Sequence, residues 1–168
     1  MTKTATVTLH KQAILAEIDA ITFKRADGVL SKESEQLKNA LSSDSSEDLD
    51  KHILYRYMDT RDANLRGRLA FCLRDTDIDS MSVSNILDTD TKYEFALNVP
   101  EKFTGERLKA LARKMHEYIM HGTLCDWYAT QNMKGNVSEA DLEAMETEIV
   151  CMLRSSYVKR PLQPFGPK

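Results

Sequence analysis

TGERLKALARKMHEYIMHGTLCDWYATQNM (residues 104–133) and SEADLEAMETEIVCMLRSSY (residues 138–157) decide the fold of this chain. In the first stretch Leu108, Leu111, Met115, Ile119, Leu124 and Tyr128 recur at helical spacing and make an apolar face broad enough for two neighbours. Thr104 suits its N-cap. In the second, Ser138 and Asp141 have the spacing of a capping box, and Leu142, Met145, Ile149, Met152 and Leu153 form the inward stripe. Gly135-Asn136 supplies the turn between them, so the two read as an antiparallel helical hairpin. Gly122 interrupts the first helix, and a helical glycine costs roughly 1 kcal/mol against alanine. A close approach by another backbone, or a kink, would account for it.

After the hairpin comes KRPLQPFGPK (residues 159–168). Pro161, Pro164 and Pro167 remove backbone donors and fix φ, so this segment reads as an extended arm whose Leu162 and Phe165 need another surface to cover them.

Before the hairpin, residues 4–9 alternate Thr with apolar groups as a short strand does, and residues 92–99 alternate likewise and stop at Pro100. The two are candidates for a small two-stranded sheet. Residues 9–26 carry Ile14, Leu15, Ile18 and Ile21 at helical period, with Thr8 as a candidate N-cap and Gly28 as a candidate stop. A weaker helix is expected over residues 31–41 and a mobile Ser/Asp-rich loop near 42–48. Ser45 and Asp48 then open a long helix over residues 46–74, with Leu49, Ile53, Tyr57, Leu65, Leu69 and Leu73 as its stripe. Its middle, Asp59-Thr60-Arg61-Asp62-Ala63-Asn64, is polar and reads as a bend or a solvent crossing. Residues 75–91 read as an acidic loop.

The expected fold class is therefore mainly α: a single helical domain over residues 1–158, with a small two-stranded β element, followed by the arm at 159–168. A chain of 168 residues suits one domain, since domains commonly run about 100 to 150. The formal net charge of −3 argues against a surface devoted to gripping phosphates. Three cysteines, Cys72, Cys125 and Cys151, fit reduced thiols better than a disulfide framework. The first residues lack the apolar core of a signal peptide, and no run approaches the ~20 apolar residues of a membrane span, so a soluble protein is expected.

No constellation assigns a catalytic, cofactor or metal residue. Asp75, Asp77 and Asp79 open like a calcium loop, but Ser80 and Ile86 stand where its Gly and bidentate Glu belong. His121 and Cys125 share a helix face, which gives two ligands where zinc needs four. Arg56, Arg61, Arg66, Arg68 and Arg74 punctuate one helix, and Lys102, Arg107, Lys109, Arg113 and Lys114 begin another. Acids interleave with both sets, which favours salt-bridged surface over a groove-reading helix. A helical nucleic-acid-binding or regulatory module is the alternative that these bases keep open. Trp127 and Tyr128 are interface candidates, with core packing as the competing role.

Over residues 93–168 the chain resembles the small helical head-tail connector proteins, also called head-completion or adaptor proteins, of tailed bacteriophages and prophages. The resemblance rests on Phe95-Ala96-Leu97-Asn98-Val99-Pro100, Met115-His116-Glu117-Tyr118-Ile119, Asp126-Trp127-Tyr128, and Met152-Leu153-Arg154 leading to Arg160-Pro161. It implies a non-enzymatic virion protein, assembled in the host cytoplasm, that forms a ring between portal and tail. Portal and tail-completion proteins would be its partners, DNA would pass a channel without sequence-specific binding, and no membrane would be involved. Subunits of such a ring meet head to tail. Arg160, Pro161, Leu162 and Phe165 would then join Trp127 and Tyr128 at the interfaces.

Overall fold

The computed structural model describes residues 2–29, 48–74, 91–131 and 137–154. The weak helix expected over 31–41, the turn at Gly135-Asn136, the Asp75-Asp77-Asp79 triplet and the arm at 159–168 lie outside these residues, as do the loops near 42–48 and 75–91 except for Asp48 and Thr91. The architecture is mainly helical with one small antiparallel sheet. In chain order the elements are β1 (Thr2–His10), α1 (Lys11–Val29), α2 (Asp48–Leu69), β2 (Lys92–Pro100), α3 (Gly105–Thr130) and α4 (Glu139–Arg154).

β1 and β2 pair over their full lengths, with Val7 opposite Phe95 and Leu9 opposite Tyr93. Because side chains alternate across a strand, odd-numbered residues of both strands share the inner face. Val7, Leu9, Tyr93, Phe95, Leu97 and Val99 are buried there, while Thr2, Thr4, Thr6 and Thr8 line the other face. The far side of β2 is also used: Leu73 bridges to Leu97, Arg74 N donates to Ala96 O at 2.9 Å, and Asn98 N donates to Cys72 O at 2.7 Å. The sheet is longer than its sequence signal, and the strand runs through Thr8 to His10. Thr8 is therefore a strand residue instead of an N-cap, and α1 starts directly at Lys11. Nor does Gly28 stop that helix, which continues to Val29.

α3 is the central element and packs against α1, α2, α4 and β1. Its N-cap is Thr104, in extended backbone (φ −85°, ψ 158°), whose Oγ1 accepts from Arg107 N. α4 opens with the expected box: Ser138 N donates to Asp141 Oδ2 at 2.9 Å, and Asp141 N donates back to Ser138 Oγ at 3.3 Å. The Ser138 hydroxyl, which donates to Asp141 Oδ2 at 2.7 Å, and then the Ser138 N–H hold the Asp141 carboxyl below its ordinary pKa. Pairs between the helices run in opposite senses, Lys114 with Glu148, Tyr118 with Glu146 and Cys125 with Glu139, which makes α3 and α4 antiparallel as the hairpin reading requires. Arg61 and Arg68 of α2 reach Glu139 and Glu146 in the same order, so α2 runs parallel to α4.

The core joins the inner face of the sheet to stripes on all four helices. Ile14, Leu15 and Ile18 come from α1; Leu54, Met58, Leu65 and Leu69 from α2; Leu111, Met115, Ile119 and Leu124 from α3; Leu142, Ile149 and Leu153 from α4. Helix α2 ends at Leu69, five residues before the expected boundary, because residues 70–72 turn the chain to bring Leu73 against β2.

Candidate interaction surface

Behind the molecule's outer surface stands a polar frame that ties α2, α3 and α4 together. Arg61 is only 8% exposed. Its Nε donates to Asp126 Oδ2 at 2.9 Å and its Nη2 to Asp126 Oδ1 at 2.7 Å, a bidentate pair. The same guanidinium reaches Glu139 Oε1 at 2.8 Å and Oε2 at 3.3 Å. Burial opposes the charge, but Asp126 and then Glu139 outweigh it and hold Arg61 above its ordinary pKa. Glu139 is correspondingly drawn down by Arg61. The planar five-donor head of arginine makes this double fork possible, whereas lysine would present a point charge.

Gly122 is explained by the same side chain. A Cβ at position 122 would lie 2.7 Å from Arg61 Cδ and 2.8 Å from its Cγ. The close approach expected at this glycine is real, but a side chain makes it and not a backbone. The polar middle of α2 does not break the helix, which continues to Leu69; Arg61 and Asp62 turn inward and are buried, while Thr60, Ala63 and Asn64 stay exposed.

One turn away, Lys11 is 1% exposed, and its Nζ lies 3.0 Å from Asp59 Oδ1 and 4.6 Å from the centre of the Tyr93 ring. Tyr93 donates its hydroxyl to the same Asp59 oxygen at 2.6 Å. Burial first, and then the neighbouring Asp59 carboxylate, push the Tyr93 phenol above its ordinary pKa. Asp62 accepts from Arg66 Nε at 2.7 Å, while its Oδ1 has no hydrogen-bond partner among the described residues. Burial raises the Asp62 carboxyl, with the Arg66 bond opposing. Arg66 in turn lies over the Phe95 ring at 4.4 Å. A third link joins Tyr118, whose hydroxyl donates to Glu146 Oε1 at 2.5 Å, with Arg68 on Glu146 Oε2 at 2.9 Å.

These contacts engage Arg61, Arg66 and Arg68, three of the five arginines that punctuate the helix, within the molecule. Trp127 and Tyr128, the aromatic interface candidates, are 4% and 2% exposed and belong to the core. Side chains so enclosed offer no face to another chain, and the competing role, core packing, is the one their burial describes. Arg160, Pro161, Leu162 and Phe165 lie outside the described residues. Cys125 Sγ sits 3.8 Å from Glu139 Oε1; burial and then that carboxylate push its thiol up, away from the thiolate that nucleophilic or metal chemistry uses. His121 is pushed down by burial. Among the described residues no group of three or more His, Cys, Asp and Glu side chains is placed to hold a metal ion.

The outer surface presents a different feature that periodicity did not mark. An open groove of about 610 Å³ runs between the last turns of α2 and the length of α4. Gly67 and Arg68 form one wall, and Glu143, Thr147, Cys151 and Arg154 form the other. Near its end Phe71, 45% exposed, carries the Arg154 guanidinium 5.0 Å from its ring centre. Arg154 is also the last described residue of α4. Sequence reading missed this site because its signals are an apolar residue just past a helix end and a glycine in a last turn, both of which usually mean termination.

No helix among the described residues is long and apolar enough to cross a membrane. Comparison with protein-family models, with curated proteins and with solved structures found no match to this chain.

Proposed function

We propose that this chain is a non-enzymatic structural subunit that assembles into a ring and serves as a head-tail connector, or adaptor, between portal and tail in a virion of the tailed-phage type. The observation that carries the reading is the handover at the end of α4. There an exposed aromatic and a groove meet at Arg154, and the proline-punctuated, cationic segment follows in the sequence. The buried ion pairs of Arg61 support it from behind, since a subunit that transmits load between neighbours needs helices held in one arrangement. The acidic balance of the chain is compatible with DNA sliding past it without being gripped.

Mass measurement over a concentration series, combined with negative-stain imaging, tests the proposal. The expected result is a closed ring, or recruitment into one by a portal or tail-ring partner. A strict monomer that also ignores such partners would end it. Retention on DNA at low salt that falls steeply as salt is raised would instead favour the nucleic-acid-binding alternative.

A further inference from the structure

We infer that the free edge of β1 pairs antiparallel with β1 of a second copy of this chain, joining two two-stranded sheets into one of four strands. The inference goes beyond the connector reading and rests on the phase of the backbone hydrogen bonds. Residues 72–74 lie along β2 on the side away from β1, where Asn98 N donates to Cys72 O and Arg74 N donates to Ala96 O. Backbone groups alternate sides along a strand, so Ala96 and Asn98 turn away from β1 while Phe95, Leu97 and Val99 turn toward it. Opposite those three stand Val7, Ala5 and Lys3. Lys11 N, which donates to Thr91 O at 2.9 Å, keeps the same phase. Thr4, Thr6 and Thr8 therefore direct their N–H and C=O groups to the open edge. Among the described residues no hydrogen bond reaches them there.

Such an edge is a template for another strand, and proteins ordinarily blunt it with proline, a bulge, charge or a covering element. β1 has nine residues, against about 5 to 6 in an ordinary strand, and contains no proline. Its pairing with β2 is one to one from Thr2 to His10, so it carries no bulge. Lys3 is its only Lys, Arg, Asp or Glu, and Thr2, Thr4, Thr6 and Thr8 are exposed.

The occupant is a second copy because β1 is complementary to itself. A two-fold axis through Thr6 overlaps all of the strand and sets Thr6 against Thr6, Thr4 against Thr8 and Thr2 against His10 of the second copy. Every such pair joins residues whose backbone groups face the shared edge, so each exchanges both of its N–H···O bonds. The threonines form cross-strand pairs on one face, and Val7 and Leu9 of both copies keep to the other. Lys3 meets Leu9, and the two Lys3 charges stand about 20 Å apart (six residues at ~3.4 Å). Growth of the sheet stops there, since the far edge of each β2 already carries Leu73 and Arg74 of its own chain. An isologous contact of this kind closes at two copies.

Full-length chains with Cys125→Ser and Cys151→Ser and one added cysteine test the pairing, by oxidation in air and mapping by mass spectrometry. Thr6→Cys should give a disulfide-linked dimer. Thr4→Cys and Thr8→Cys should link when mixed in equal amounts and not singly, because bridged Cα atoms lie within about 7 Å. Thr6→Pro removes only an N–H on the open edge, where proline is tolerated, so it should keep the circular-dichroism spectrum while raising the dimer dissociation constant at least tenfold in sedimentation. Thr6→Lys, which sets like charges opposite each other, should do the same at low salt and serves where proline disturbs the strand. A monomer at every concentration, linking of Thr4→Cys or Thr8→Cys alone, or an association that neither Thr6 variant weakens would overturn the inference. Rings that Thr6→Lys leaves unchanged would overturn it and leave the connector reading standing. A dimer that Thr6→Lys dissociates, and that never enlarges with a portal or tail-ring partner, would uphold the β1 contact and remove the ring.

Discussion

Gly122→Ala is ordinarily a favourable change in a helix, worth roughly 1 kcal/mol from propensity alone. Here the opposite sign is expected. The new methyl would sit 2.7 Å from Arg61 Cδ, 2.8 Å from Cγ and 2.9 Å from Nε, where ordinary contact begins at 3.4 Å. Relief requires the stem to move by about 0.7 Å (3.4 less 2.7), and the atoms involved are the stem itself, with its head already held by four hydrogen bonds. A displacement of that size stretches the 2.7 Å bond to Asp126 to the limit of hydrogen bonding. Charge-assisted bonds contribute about 1.5 to 3 kcal/mol each, and the exposed Glu139 arm contributes less than the Asp126 arm. After the propensity gain, the net loss should be about 2 to 3 kcal/mol, a fall in melting temperature of about 4 to 12 °C for a chain of this size.

Urea titrations followed by circular dichroism give the number, and a double-mutant cycle gives the cause. In an Arg61→Ala background the obstruction is gone, so Gly122→Ala should become stabilising by roughly 1 kcal/mol. A reversal of sign is the signature. If Gly122→Ala has the same effect with and without the arginine, or stabilises the wild-type chain, the account of Gly122 is wrong.

Lys11→Met should lower stability by about 1 to 2 kcal/mol in the same titration, because it strips a partner from Asp59, whose side chain is 31% exposed and keeps the Tyr93 hydroxyl. Asp62 has a folded-state pKa above its unfolded one, so its ionised form weakens the fold above that value and the penalty disappears as pH falls through it. Stability measured from pH 7 to pH 4 should therefore show the wild type gaining on Asp62→Asn as acid is added. An advantage for the variant that stays constant across that range would refute the assignment. Ser138→Ala should cost about 1 kcal/mol through loss of the α4 cap. With a maleimide at pH 7, Cys151 should react first and Cys72 last, since Cys72 is 1% exposed with its thiol pushed up to about 11.

The parts of the fold that were legible in the sequence are those whose cause is local. A cap needs a partner three residues on, as at Thr104 and Ser138; a stripe needs its own helix; a strand declares its inner face by alternation, as residues 92–99 do. Asp59-Thr60-Arg61-Asp62-Ala63-Asn64 carries the same local information as a bend or a solvent crossing. Its partners stand 65 and 78 residues away for Arg61 and 48 and 34 residues away for Asp59. Nothing within a helical window distinguishes a charge that will be met by a distant opposite charge from one that will be met by water. The boundary at Thr8 failed for a related reason: threonine is both a good cap and a good strand residue, and pairing with Glu94 chose between them.

Two of the helical glycines, Gly67 and Gly122, carry that argument one step further. Gly122 lies in the interior of α3 and Gly67 in the last turn of α2, where a glycine costs the helix less. At Gly122 the contact is inside the subunit and visible, and it ties the helix that carries Arg61 to the helical hairpin that decides the fold. At Gly67 a Cβ would meet nothing within 4 Å, and Phe71 nearby is one of two phenylalanines, with Phe23, that stand about half exposed among the described residues. Arg61, Arg66 and Arg68 are engaged within the subunit, whereas the groove beside Phe71 is open at the surface. That is why the functional proposal is placed at the α2–α4 groove and not at the polar cluster around Lys11 and Asp59, although the cluster holds the more perturbed ionisable groups.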